Sequence, residues 1–144
     1  MKASVREWIA KADGDQVSAL REFRARKCPN YDSACFHAQQ CIEKLLKAVI
    51  DADGGTVNKV HDLTVLLSEC LRLHPLWAPM RDDLELLSQY AVLFRYPGHS
   101  ADRTKARSAI AAMKRCRVEM LTALGGAILL FDARRQKNPP AARK

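Results

Sequence analysis

The sequence lacks any apolar run near the roughly 20 residues that span a bilayer; its longest runs, such as Ala127 to Phe131, are far too short. Its first residues, Met1-Lys2-Ala3-Ser4-Val5-Arg6-Glu7-Trp8, turn amphipathic at once and lack the apolar core of a signal peptide. A cytoplasmic location without membrane association is the default expectation. The five cysteines, Cys28, Cys35, Cys41, Cys70 and Cys116, form no C-x-x-C pair, and their spacing is too loose for a zinc site. They read as reduced, mostly buried thiols, and no metal or cofactor is expected. Nothing resembles a Walker loop, a dinucleotide fingerprint, a carboxylate pair or a serine triad. No segment alternates as a strand does, and no internal repeat is visible.

What is present is an ordinary globular composition, 48% hydrophobic and 28% charged, over 144 residues. That length suits one domain with a core that needs no staples. The net charge is +8, but residues 126–144 carry Arg134, Arg135, Lys137, Arg143 and Lys144 against Asp132 alone, so half of it lies in the tail. Residues 1–125 therefore read as a mildly basic helical domain, and 126–144 as an apolar, then basic tail expected to be partly disordered.

Helical periodicity accounts for the body. Ser4 and Glu7 have the spacing of a capping box, and Val5, Trp8, Ile9, Ala12, Ala19, Leu20 and Phe23 then form one stripe that Pro29-Asn30 ends. Gly14 costs this helix about 1 kcal/mol relative to alanine. A second helix is expected from Asp32 to Ala52, with Ala34, Cys35, Ala38, Ile42, Leu45, Leu46 and Val49 buried. Asp62 caps a third, carrying Leu63, Leu66, Leu67, Cys70 and Leu71 and ending before Pro75. A fourth, from about Met80 to Phe94, is apolar over a wide arc, as in a helix buried between neighbours. Pro97-Gly98 breaks the chain, and a fifth runs from about Arg103 to Leu124, stopped by Gly125-Gly126. Ala106, Ala109, Ile110, Met113, Cys116, Met120, Leu121 and Leu124 are its inward residues. The expected fold is all-α, an antiparallel up-and-down bundle of about five helices.

On helix two, Asp32, Phe36, Gln39, Gln40, Glu43 and Lys47 fall on one strip at the edge of the apolar face. Such a strip forms a structural or interface network, or touches a ligand. His37 and Lys44 point to the polar side and read as surface. On helix five, Arg103, Arg107, Lys114 and Arg117 make a basic strip suited to phosphates. Arg117 lies nearest the inward stripe, where it either snorkels out or pairs with a carboxylate such as Glu43.

The stretch from Tyr31 to Ala48 resembles the HEPN domain family, the higher-eukaryote and prokaryote nucleotide-binding domains. The likeness continues through Trp8, Ala12 and Asp15, through His61-Asp62-Leu63, and through Tyr90 and Arg95-Tyr96-Pro97, covering about residues 5 to 124 in order. The resemblance implies a helical bundle that often forms homodimers. It also implies a small nucleotidyltransferase as partner in a toxin–antitoxin or related two-part system. Many such domains are metal-independent ribonucleases built on R-x(4–6)-H; here Arg95 and His99 form only R-x3-H, interrupted by Pro97-Gly98.

Three functions follow as expectations. The first is a nucleotide- or RNA-associated binding module, companion to a nucleotidyltransferase, using Arg95, Arg103, Arg107 and Lys114. The second is a ribonuclease with Arg95 and His99 as catalytic residues. The third is a structural dimerisation unit whose seam uses the helix-two strip and the segment Ala127–Phe131.

Overall fold

The computed structural model describes residues 1–125. The tail, including the apolar segment Ala127–Phe131 and the pair Arg134-Arg135, lies outside the described residues, and so does the dimer seam expected to use it. Among the described residues there are five α-helices and one 3-10 turn, with no strand. They are α1 (Ala3–Arg24), α2 (Tyr31–Ala52), α3 (Leu63–Cys70), the turn Pro75–Met80, α4 (Arg81–Leu93) and α5 (Arg103–Ala123). The antiparallel helical bundle is therefore the observed architecture. No described helix is long and apolar enough to cross a membrane.

α2 is the hub, packing against α1, α3, α4 and α5. Its position follows from its width of apolar surface: ten apolar residues of its 22 are buried, including Ile42, Leu45, Leu46 and Val49. α1 supplies Val5, Ile9, Ala12 and Ala19, and α5 supplies Ala109, Met113, Cys116, Met120 and Leu121. The small residues Ala12, Ala34, Ala38, Ala106 and Ala109 are fully covered, so the helix axes can approach closely. Burial pushes the thiols of Cys35, Cys41, Cys70 and Cys116 up to about 12, so none offers a thiolate nucleophile near neutrality.

Several helix ends differ from the periodic reading. Ser4 does not cap α1: the cap lies two residues earlier, at Lys2, and no side chain closes it. α1 ends at Arg24, well before Pro29, and Asn30 instead caps α2 by accepting the Ser33 N–H at 2.9 Å. Asp62 caps α3 through Thr64, and Asp102 caps α5 through Lys105. Hydrogen bonds from Thr64 hold the Asp62 carboxyl below its usual range. Gly125, at φ 98, ends α5 in the left-handed conformation that favours glycine.

α4 is not enclosed by neighbours. Leu84 and Leu87 are its buried residues, Leu86, Tyr90, Ala91 and Leu93 are half-buried, and Val92 is exposed. Its wide apolar arc instead forms one wall of a groove. The preceding 3-10 turn buries Trp77, which stacks on His74 with ring centroids 4.3 Å apart. Gly14 sits in mid-α1 with open space where a Cβ would stand. Gly14→Ala is therefore expected to raise stability by about 0.5–1 kcal/mol, read as a higher urea midpoint; a lower midpoint contradicts it.

Candidate functional site

The one-sided strip on α2 does two things at once, because it lies where the buried face meets the groove. Phe36, Gln39, Gln40 and Glu43 recur at helical steps and face Ser88, Ala91, Val92 and Arg95 from α4 and its C-terminal end. His61 and Asp62, immediately before α3, complete the lining of a cavity of about 400 Å³. A space of that size matches small-molecule sites.

Glu43 is the polar centre. Its Oε1 accepts from the Lys47 Nζ and from the His61 Nδ1, each at 2.9 Å. Its Oε2 accepts from Gln39 at 3.1 Å and Gln40 at 3.3 Å. Gln40 also donates to Gln39, and Gln39 to the His61 carbonyl. Burial alone would raise the Glu43 pKa, but hydrogen bonds from Lys47, His61 and Gln39 outweigh it and hold the carboxyl below its ordinary value. An ionised carboxylate only accepts, so the His61 Nδ1 carries the proton. In the neutral ring Nε2 is then the acceptor, and the side chain is 77% exposed. Lys47 is buried beside Glu43, 5.8 Å from the Trp8 ring centroid.

Arg95 is held differently. Its guanidinium lies over the Phe36 ring, 5.2 Å from the centroid. It has no carboxylate partner among the described residues. The same two side chains also border a second cavity of about 390 Å³ toward Asn30, Asp32, Ser33 and Phe94. Arg95 thus stands between two openings with donors free for an anion. His61 offers a ring nitrogen on the same cavity, and Gln40 and Ser88 offer shorter polar groups.

His99 is exposed and lines neither cavity, so the structure places a different histidine, His61, on the cavity that Arg95 borders. Arg103, Arg107 and Lys114 are exposed on α5, outside both cavities; Arg103 rests over Phe23 at 5.9 Å. Asp32 accepts the Ala101 N–H at 2.6 Å, tying the start of α2 to the link before α5. Arg117 pairs with Asp13 at 3.1 Å, not with Glu43, whose oxygens α2 and His61 already occupy. His37 is not idle surface: with Lys44 it fastens the Asp15 carboxylate of α1, His37 at 2.9 Å. Sequence reasoning missed His61 and Ser88 as site residues. Asp62 as a cap locates His61 one residue before the cap of a helix, but nothing local points it at Glu43. Among the described residues there is no cluster of three or more His, Cys, Asp or Glu able to hold a metal ion.

The HEPN domain family model matches residues 5–119. The crystal structure of TT1696 from Thermus thermophilus aligns with a TM-score of 0.73 at 20% identity, covering 85% of this chain and 99% of that one. At that identity the likeness is one of fold. No curated protein matches the chain.

Proposed function

The chain belongs to the HEPN domain family, and from that premise we propose that it is a nucleotide- or RNA-associated binding module whose site is the α2–α4 groove. The observation that carries this reading is Arg95, set on the Phe36 face at the edge of a nucleotide-sized cavity with its donors uncommitted. A phosphate takes the guanidinium fork, and base or sugar edges meet Gln40, Ser88 and His61. Titration with nucleoside monophosphates by calorimetry tests it. Arg95→Ala is expected to weaken binding at least tenfold, since a charge-assisted hydrogen bond contributes about 1.5–3 kcal/mol. Equal binding by parent and variant would remove Arg95 from the site.

One observation favours a second reading, RNA cleavage: Glu43 orients the His61 ring on the same cavity as Arg95. In that reaction the His61 Nε2 takes the proton of a ribose 2′-hydroxyl, and the 2′-oxygen attacks the adjacent phosphorus. The P–O5′ bond breaks, leaving a 2′,3′-cyclic phosphate and a 5′-hydroxyl protonated from solvent, while Arg95 stabilises the phosphorane charge. RNA incubated with the protein in EDTA distinguishes the readings. Cleavage lost in His61→Ala and kept in His99→Ala supports the second; no cleavage by the parent leaves the binding module.

The wider role we propose is that of helical companion to a small nucleotidyltransferase in a toxin–antitoxin-like pair, acting as a homodimer. The family resemblance supports it, and co-purification with the product of the neighbouring coding sequence tests it. A purely structural dimerisation unit is the outcome if that partner and all nucleotide binding are absent.

A further inference from the structure

The charge of the described body is not spread over it. Residues 1–125 carry 19 Lys and Arg against 15 Asp and Glu. Residues 20–32 and 95–107 hold 8 of the basic residues and only 3 of the acidic ones, leaving 11 basic and 12 acidic elsewhere. Those two stretches meet at one end of the bundle, because the end of α1, the start of α2, the end of α4 and the start of α5 all arrive there.

Aromatic rings organise this end. Arg103 sits over Phe23 of α1 at 5.9 Å, Lys105 over Phe94 at 5.7 Å, and Arg95 over Phe36 at 5.2 Å. The first turn of α5 therefore bridges from the end of α1 to the mouth of the groove. Arg24, Arg26 and Lys27 follow Phe23 along the end of α1 and the loop after it, at the same end of the bundle, and all three are exposed. Among the described residues none of these six cations has a carboxylate partner, whereas Lys2, Lys44, Lys47, Arg115 and Arg117 elsewhere do. Two of the three local carboxylates are taken by backbone: Asp32 accepts from Ala101 and Asp102 from Lys105. Next to Arg95 in the chain, Tyr96 is 63% exposed.

We propose that this basic end is a track for the backbone of a single-stranded polynucleotide that leads into the α2–α4 groove, with Tyr96 as a stacking platform. The inference rests on the groove reading above and extends it from a nucleotide to a strand. Cations seated on ring faces present their remaining donors outward at fixed places, which suits successive phosphates. The exposed tyrosine next to Arg95 in the chain favours a strand with accessible bases over an acidic protein, and the cavity admits one nucleotide, not a duplex.

Fluorescence anisotropy with a labelled single-stranded RNA of about 12 nucleotides, at salt between about 50 and 200 mM, tests the track. Adenosine monophosphate and polyglutamate serve as competitors, and circular dichroism confirms that each variant is folded. The parent is expected to bind the strand at least about tenfold more tightly than the monophosphate. The triple variant Arg24→Ala, Arg26→Ala, Lys27→Ala is expected to weaken strand binding about tenfold or more. It should also flatten the log–log salt dependence by about 2, roughly 0.7 for each phosphate no longer neutralised, with monophosphate binding unchanged. Unchanged affinity and salt slope in the triple variant overturn the track while leaving the groove reading intact. So does polyglutamate that competes as well as unlabelled RNA. If Arg95→Ala weakens neither ligand, the groove reading itself fails.

Discussion

Glu43→Ala is expected to destabilise the protein by about 3 kcal/mol and lower its melting temperature by about 10 °C. The loss comes mainly from what the substitution strands. Lys47 stays buried at 5% exposure, with no carboxylate at 2.9 Å to balance an ammonium there. Gln39, Gln40 and His61 lose their common acceptor in the same step. Thermal and urea unfolding measure the effect. In a double-mutant cycle, Glu43→Ala with Lys47→Ala should cost less than the sum of the two single changes by at least about 1 kcal/mol. A Glu43→Ala variant as stable as the parent would show that the pair contributes nothing net.

The same residue gives a pH dependence whose sign is fixed. The folded-state Glu43 carboxyl is held below its ordinary value. Its contribution is therefore fully present above the unfolded pKa of about 4.3 and is lost as pH falls through the lower folded value. Acidification from pH 7 to about 5 should leave this contribution intact, and a further fall below about 4 should erode it. Glu43→Gln should show a smaller acid loss than the parent, and an identical loss in both would assign the acid transition to other carboxylates.

Leu46→Ala is expected to cost about 3–4 kcal/mol, from lost transfer energy plus an incompletely collapsed cavity. Leu46 is fully buried on the helix against which α1, α3, α4 and α5 pack, so the space can close only by shifts of closely packed helices. Val118→Ala, on the exposed face of α5, provides the contrast, with a change within about 0.5 kcal/mol. A Leu46→Ala cost below about 1 kcal/mol, read from urea unfolding, would contradict the hub position of α2. Neither Leu46 nor Val118 lines the groove, so nucleotide binding by the folded variants should be preserved.

Local sequence determines which helices form and which faces turn inward, because a 3.6-residue period reports an apolar stripe without reference to anything else. Ile42, Leu45 and Leu46 on α2 and Met113, Cys116 and Met120 on α5 are legible in this way, and all are buried. Asp62 and Gly125 mark helix ends for equally local reasons, a side-chain acceptor for an orphan N–H and a positive φ. The start of α1 is not legible, because Ser4 offers a cap that the backbone bypasses by beginning at Ala3.

The polar pairings belong to the tertiary structure alone. Periodicity places Glu43 and Arg117 on their helices but does not say which elements stand opposite. Packing gives Glu43 to His61, 18 residues away, and Arg117 to Asp13, 104 residues away. Spacing along the chain suggests Arg95 with His99, yet Pro97-Gly98 turns the chain through a link in which Gly98 has a φ of 92. The cavity that Arg95 borders is closed by His61, brought in by the start of α3. The sequence by itself thus determined the bundle, its buried stripes and the presence of an arginine after α4. Only the relative rotation and docking of α2, α3 and α4 decided which histidine and which carboxylate share its groove, because a side chain's partner is set by distance in space and not by its position in a repeat.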